Sequence, residues 1–201
     1  CLALLHYLGD VAGALNGLVL RQVDVGEADR IVSLLTDQRG RLEVRVPRAR
    51  KSRKRFGGLD LFVLAKVDLA SKPGKTRLED ATILADFSGI RSDMVRLALA
   101  SHAAELLTLS APEDDPQVDL FRLALAAFDS LDLPDGVPSG GLGWARAFEL
   151  KLLHVLGLRP ALQRCVVTGR PLDEMTRPLW SLGAGGLLCP SMQAHDPTAR
   201  P

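Results

Sequence analysis

GLVLRQVDVGEADRIVSLLTDQRGRLEVRV, residues 17–46, is the stretch whose reading decides the fold. Gly17–Val23 is rich in β-formers, Arg30–Leu35 follows the turn signal GEAD, and Arg41–Val46 alternates basic and apolar residues with period two. Successive side chains of a strand point to opposite faces, so Leu42, Val44 and Val46 face one way and Arg41, Glu43 and Arg45 the other. One face is core, and the other is free to meet a ligand.

Two more strands follow, Leu59–Leu69 and Arg77–Leu84, separated by the turn SKPGKT. Five short strands in so short a segment predict a small closed barrel, because closure removes the exposed edges that such a sheet would otherwise carry. A five-stranded OB-fold barrel over residues 15–86 is the leading expectation, with an SH3-like barrel as the structural alternative.

The third strand opens a run of charge. Arg39 to Arg55, RGRLEVRVPRARKSRKR, holds nine of the chain's 25 Lys and Arg residues and one acid, Glu43, for a net +8. Sixteen basic and 23 acidic residues share the rest, a net −7, so the overall +1 conceals a polarised molecule. Like charges so crowded repel one another, and a polyanion partner explains them better than a solvated face, a disordered basic loop or a patch balancing the acidic remainder. Arg39, Arg41 and Arg45 belong to the strand and its entry, while Arg48, Arg50, Lys51, Arg53, Lys54 and Arg55 lie in the loop that follows. Guanidinium forks grip phosphate oxygens bidentately, so these nine residues are the expected phosphate-binding set. Phe56 is the one adjacent aromatic, which predicts binding through the backbone and independent of sequence.

With 47% hydrophobic residues the chain has ample core material, and with 4% aromatics its cores must rest on Leu, Val and Ala. Cys1, Cys165 and Cys189 are too scattered for the disulfide framework of a small secreted domain, which points to a reducing cytoplasm. Residues 1–14 are apolar, yet they lack a basic n-region and Asp10 interrupts them; they read as an N-terminal extension. No stretch has the uninterrupted apolar length of a membrane span.

Beyond Asp86 the period becomes helical, which predicts a helical domain over residues 87–162, continuing after the C-terminal insert only if residues beyond 193 are ordered. Ser92 is placed to cap a helix with the stripe Val95, Leu99, His102, Leu106 and Leu109, ending before Pro112. Asp115 and Pro116 begin a second, with Val118, Phe121, Leu125 and Phe128. Asp135–Gly143 is a loop, and Trp144–Leu156 a third helix with Trp144, Phe148, Leu152 and Val155 on one side and Gly157 at its end. Near the C-terminus, Trp180–Cys189 predicts a hairpin that turns through Gly183, Gly185 and Gly186, followed by a flexible tail over residues 194–201.

Other motifs carry less. Gly74-Lys75-Thr76 lacks the first glycine of a phosphate-binding loop, since Leu69 stands there, and a hairpin turn is the better reading. Gly140, Gly141 and Gly143 lack the strand that a dinucleotide fingerprint needs before it. Cys165 with His154 or His195 has no orienting third group, and His102 and His154 read as packing residues of helices. Cys165-Val-Val-Thr168 and Cys189-Pro-Ser-Met192 have the outline of two Cys-x-x-Cys zinc knuckles, each without its second cysteine. With or without His195, zinc is not expected; two ordinary buried thiols beside a glycine turn is the favoured reading of Cys165 and Cys189.

Taken in order, the opening block continuing to Phe56, the central helices, AFELKLLHVLGLRPALQRC and GAGGLLC resemble RecO, the bacterial recombination mediator family, from about Gly17 to Met192. The resemblance implies an α+β chain with an N-terminal OB-fold barrel, a central α-helical domain and a degenerate zinc-ribbon-like hairpin over residues 163–193. It implies binding to single- and double-stranded DNA, annealing of complementary strands and, with RecR, loading of RecA onto DNA covered by single-stranded-DNA-binding protein, whose C-terminal tail is a further partner. No catalytic residues belong to that work, and Arg39–Arg55 corresponds to part of the DNA surface. Cys165 and Cys189 align with the first cysteine of each zinc pair, while Thr168 and Met192 depart from it, so no cofactor is expected.

An alternative reading makes the chain a helical protein-protein adaptor with a nonspecific nucleic-acid-binding barrel, its helical domain docking acidic peptide tails or RecR and Arg122 and Arg146 receiving a carboxylate terminus. A phosphate-handling enzyme would need a metal or base constellation that the sequence does not offer.

Overall fold

A computed structural model describes residues 14–49, 58–72, 75–137 and 141–201, which divide into two compact units, up to Phe148 and from Glu149 onward. In the first unit β1 (Ala14–Val25), β2 (Asp29–Thr36), β3 (Gly40–Val46), β4 (Leu64–Lys72) and β5 (Lys75–Ala85) close into a barrel of order β1-β2-β3-β5-β4. Antiparallel pairing runs through it except at the seam, where β3 meets β5 in parallel with Arg45 opposite Arg77. This is the OB-like barrel expected from the strand pattern. The third strand alternates as its sequence requires: Leu42, Val44 and Val46 are buried with Val19, Val32, Leu34, Val67 and Leu78, while Glu43 and Arg45 face outward. Leu18, Leu20, Leu35 and Leu64 are buried as well, so β1 is apolar on both faces and is covered by helix.

The fourth strand begins later than expected. Leu59 and Val63 still reach the barrel core, but Phe62 takes φ +68 and the chain turns there before pairing from Leu64. The Phe62 amide donates to the Val19 carbonyl, and the Val19 amide to that of Val63, each at 2.9 Å. The turn leaves the Phe62 ring 5.4 Å from that of Phe128 on the helical layer. After β4, Lys72 pairs with Lys75 across a hairpin and β5 continues as strand, which disposes of the phosphate-loop reading; Gly74 itself lies outside the described residues.

The helical layer comprises α1 (Ser88–Arg91), α2 (Met94–Ser110), α3 (Val118–Asp132) and α4 (Leu142–Val155), the last running across the unit boundary. Asp93, not Ser92, caps α2, its Oδ1 accepting the Val95 and Arg96 amides at 2.9 Å. The buried face of α2 also differs from the expected stripe. Ala100, Ala103, Ala104 and Leu107 are inside, whereas Val95 and Leu109 are 45% and 77% exposed. A helix apolar nearly all round has no periodicity to orient it, and its small residues decide which side can approach β1 and α3 closely. In α3, Phe121, Leu125 and Phe128 are buried as expected, joined by Leu120, Ala124 and Leu131, while Val118 is exposed; Gln117, not Asp115, is its N-cap. Gly157 at φ +75 ends α4, with the Leu158 amide returning to the Leu153 carbonyl at 2.7 Å.

The loop after α2 is stitched to the edge of β3. The Arg41 amide donates to the Pro112 carbonyl and the Asp114 amide to the Arg41 carbonyl, both at 3.1 Å. Gly40 lies beneath this seam at φ +61, where a Cβ would stand 2.0 Å from the Asp115 carbonyl oxygen. Gly40→Ala adds left-handed strain of about 1–2 kcal/mol to a backbone clash that only withdrawal of the loop relieves. The expected result is a loss of roughly 3 kcal/mol or more by chemical denaturation, and a loss below about 1 kcal/mol would refute this account of the seam.

In the second unit, β8 (Gly186–Leu188) pairs antiparallel with β7 (Leu179–Ser181) through the expected glycine turn and parallel with β6 (Ala161–Cys165), a strand that the sequence pattern does not announce. A flexible tail over 194–201 is not what forms. Pro190–His195 is a short 3-10 helix, Ala199 is buried, and Arg200 exchanges both backbone hydrogen bonds with Trp180. Asp196 pins this return. Its carboxylate accepts from the Ser181 hydroxyl, the Thr198 hydroxyl and the Thr198 amide, which together hold it below its ordinary 3.8. No helix among the described residues is long and apolar enough to cross a membrane.

Candidate nucleic-acid interface

Of the nine candidate cations, Arg39, Arg41, Arg45 and Arg48 are described; Arg50, Lys51, Arg53, Lys54 and Arg55 lie outside the described residues. The four fall into two pairs. Arg39 reaches Asp114 at 2.6 Å, and Arg41 bridges Glu43 at 3.0 Å and Glu113 at 2.7 Å while its Nε donates to the Ala111 carbonyl. Only 17% of the Arg41 side chain is exposed. These two arginines fasten the loop after α2 to the barrel, and releasing Arg41 would undo three of its contacts at once.

Arg45 and Arg48 are placed differently. Both Nε and Nη2 of Arg45 contact Asp29 Oδ2, at 2.8 and 2.5 Å, and the side chain is 62% exposed. Asp29 Oδ1 accepts the Arg48 amide at 2.9 Å, with Arg48 at φ +55. The Arg48 amide first and the Arg45 guanidinium second hold the Asp29 carboxyl below its ordinary 3.8. The guanidinium is open to solvent, so exchanging a carboxylate for a phosphate at Arg45 costs little. The Arg48 side chain has no acidic partner among the described residues. Asp29 therefore shapes the exit of β3 while leaving the cations available.

Arg77 joins them. It stands opposite Arg45 across the barrel seam, is exposed, and adds to the field on Asp29. Sequence reasoning missed it, because nothing local relates residue 77 to residue 45 until the parallel register is known. Elsewhere, Arg122 makes a 3.3 Å pair with Asp119 one helical turn away, an exposed contact of the ordinary surface kind.

The degenerate knuckle is a closed cluster of two thiols. Cys165 and Cys189 are free and buried, with Leu179, Leu188 and Ala199 around them and Met175 and Met192 packed alongside. The Cys189 amide donates to Cys165 Sγ at 3.2 Å, and Thr168 Oγ1 lies 3.4 Å from Cys189 Sγ. Burial pushes the Cys165 thiol up, but the Thr168 hydroxyl and amide and the Cys189 and Val167 amides outweigh it and hold the group at about 6, against an ordinary 9.0. Two thiols, a hydroxyl and a thioether are not the donor set of structural zinc, and among the described residues no group of three or more His, Cys, Asp or Glu is placed to hold a metal ion. The Thr168 hydroxyl and the Cys189 amide lie against the two sulfurs.

That arrangement has a pH consequence. A thiol depressed in the folded state adds stability that is complete above about 9 and is lost as pH falls through about 6. Thr168→Val removes one donor, so the Cys165 titration, followed by thiolate ultraviolet absorbance, is expected to move upward. An unmoved titration would count against the hydroxyl as a donor.

Comparison with known proteins places these features in a family. The family description "Recombination protein O N terminal" matches residues 14–87, and "Recombination protein O C terminal" matches residues 91–201. The chain is 40% identical over 179 residues to a protein named DNA repair protein RecO from Anaeromyxobacter sp. (strain Fw109-5), covering 88% of this chain and 68% of that one. Proteins of the same name from Pelobacter propionicus and Myxococcus xanthus are 38% and 36% identical, over 90% and 87% of this chain and 72% and 70% of theirs.

Proposed function

This chain belongs to the RecO family, and from that premise we propose that it is a DNA-binding recombination mediator working in the cytoplasm. It binds single- and double-stranded DNA, anneals complementary strands and, with RecR, helps to load RecA onto DNA covered by single-stranded-DNA-binding protein, whose C-terminal tail it also engages. The contacts belong to the Arg39–Arg55 run, with Arg45, Arg48 and Arg77 at the barrel seam and Arg50, Lys51, Arg53, Lys54 and Arg55 continuing from it. Arg39 and Arg41 contribute charge while holding the scaffold. No bond is made or broken by the protein in this work, and no cofactor is required.

The observation that carries the reading is the opening of the barrel seam. There, three exposed arginines gather around one carboxylate at the point where the remaining cations of the run begin. Grips of this kind act on phosphates and release counterions on binding. Affinity for a single-stranded oligonucleotide should fall by roughly two to three orders of magnitude between low and moderate salt, with the annealing rate falling in parallel. Affinity indifferent to salt would overturn the proposal. Protein stripped with a chelator should anneal at an unchanged rate, and lost annealing restored by zinc would overturn its metal independence.

A further inference from the structure

We infer that the second unit holds its own contact for single-stranded DNA, a cationic cleft between the end of α4 and β6 that takes the sugar-phosphate backbone. The choice of ligand rests on the DNA-binding reading above; the cleft does not. It has a volume of about 620 Å³ and is lined by Lys151 and His154 from α4, by Arg159 and Arg164 at the two ends of the segment through β6, and by the aliphatic side chains of Leu150 and Leu162. Among the described residues, no acidic side chain lines it.

Two features mark these cations. In the barrel, the side chains of Arg39, Arg41 and Arg45 each have a carboxylate partner, and Arg48 has none among the described residues. In the cleft, none of the Lys151, Arg159 and Arg164 side chains has a hydrogen-bond or ion-pair partner among the described residues. The local charge balance agrees. Residues 149–201 contain six Lys and Arg against four Asp and Glu, so the net −7 outside Arg39–Arg55 lies elsewhere. Cations held together without counter-charge repel one another, and a polyanion relieves that repulsion.

The layout favours a nucleic-acid backbone over an acidic peptide. Arg159 and Arg164 are five residues apart on largely extended chain, a span of up to about 17 Å, and Lys151 and His154 follow one turn of helix. Charge spread along a line tracks a repeating polyanion, whereas a peptide terminus wants one focus of charge beside a deep apolar socket. The apolar side chains here form no such socket: Leu150 and Leu162 are 41% and 40% exposed.

The test uses the full chain with the triple variant Lys151→Glu, Arg159→Glu, Arg164→Glu, compared with Arg50→Glu, Lys51→Glu, Arg53→Glu, Lys54→Glu in the basic run. All three cleft residues are exposed, so the triple variant should keep the thermal midpoint of the parent. It is expected to weaken binding of a long single-stranded oligonucleotide about tenfold or more and to lower the slope of log affinity against log salt by about two, as loss of three phosphate contacts requires. Residual binding by the run variant should disappear when the two sets are combined. Unchanged oligonucleotide affinity and salt slope in the triple variant would overturn the cleft assignment even if the run variant fails to bind DNA. Loss of affinity for a polyglutamate peptide with DNA binding intact would overturn it in favour of an acidic partner. Should the run variant bind as the parent does while the triple variant loses DNA, the cleft stands and the barrel reading falls.

Discussion

Replacing Arg50, Lys51, Arg53 and Lys54 together by glutamate is expected to weaken DNA binding by at least two orders of magnitude at low salt, with the thermal midpoint held. The swap turns the run from +8 to 0, so it both removes phosphate contacts and repels the strand. The same logic does not extend to every arginine of the run. Arg41→Glu would set a third carboxylate against Glu43 and Glu113 on a side chain only 17% exposed, so its expected effect is on stability first. Arg45 is the informative intermediate. Its own side chain is 62% exposed, so Arg45→Ala should cost little stability and several-fold in affinity. Filter binding or fluorescence anisotropy, read beside thermal melts of the same samples, separates these outcomes. If the quadruple variant bound single-stranded DNA as the parent does, the assignment of the basic run would be wrong.

Phe128→Ala carries the largest expected effect on stability. The Phe128 ring is fully buried in α3, 5.4 Å from Phe62 and 6.4 Å from Phe87, and so joins the helical layer to the turn before β4 and to the end of β5. Truncation leaves a cavity bounded by two aromatic rings, one on a backbone already at φ +68, and should cost about 3–5 kcal/mol. For a unit of this size that corresponds to a fall of roughly 10–15 °C in the melting midpoint. Phe128→Leu, which refills most of the space, should lose less than half as much. Barrel and helices belong to one compact unit, so both should melt together in the variant. Were the barrel to keep its midpoint while the helices alone loosened, this ring would not be what couples them.

Much of this architecture was legible in the chain. Period-two alternation at residues 41–46, apolar runs flanked by turn residues, and the glycines before Cys189 each carry a local physical signal, and these elements formed there, although the turn at Phe62 delays the fourth strand to Leu64. Elements without a local signal were missed. Strand β6, ALQRC, shows no alternation because only its ends meet β8. The burial direction of α2 was misread because alanine and leucine surround it, and only the partner surface distinguishes the sides. Residues 194–201 read as tail because the contacts that hold them, from Ser181 and Trp180, come from earlier in the chain and leave no pattern of their own.

By itself the sequence determined that there is a barrel, that its third strand presents arginines outward, and that the charge of the molecule is concentrated in Arg39–Arg55, since hydrophobic period and charge are properties of neighbours along the chain. Only the tertiary structure decided what each arginine is for. Asp114 and Glu113 occupy Arg39 and Arg41, Asp29 leaves Arg45 and Arg48 exposed, and Arg77 arrives from another strand, because the partner of a charge is set by distance in space.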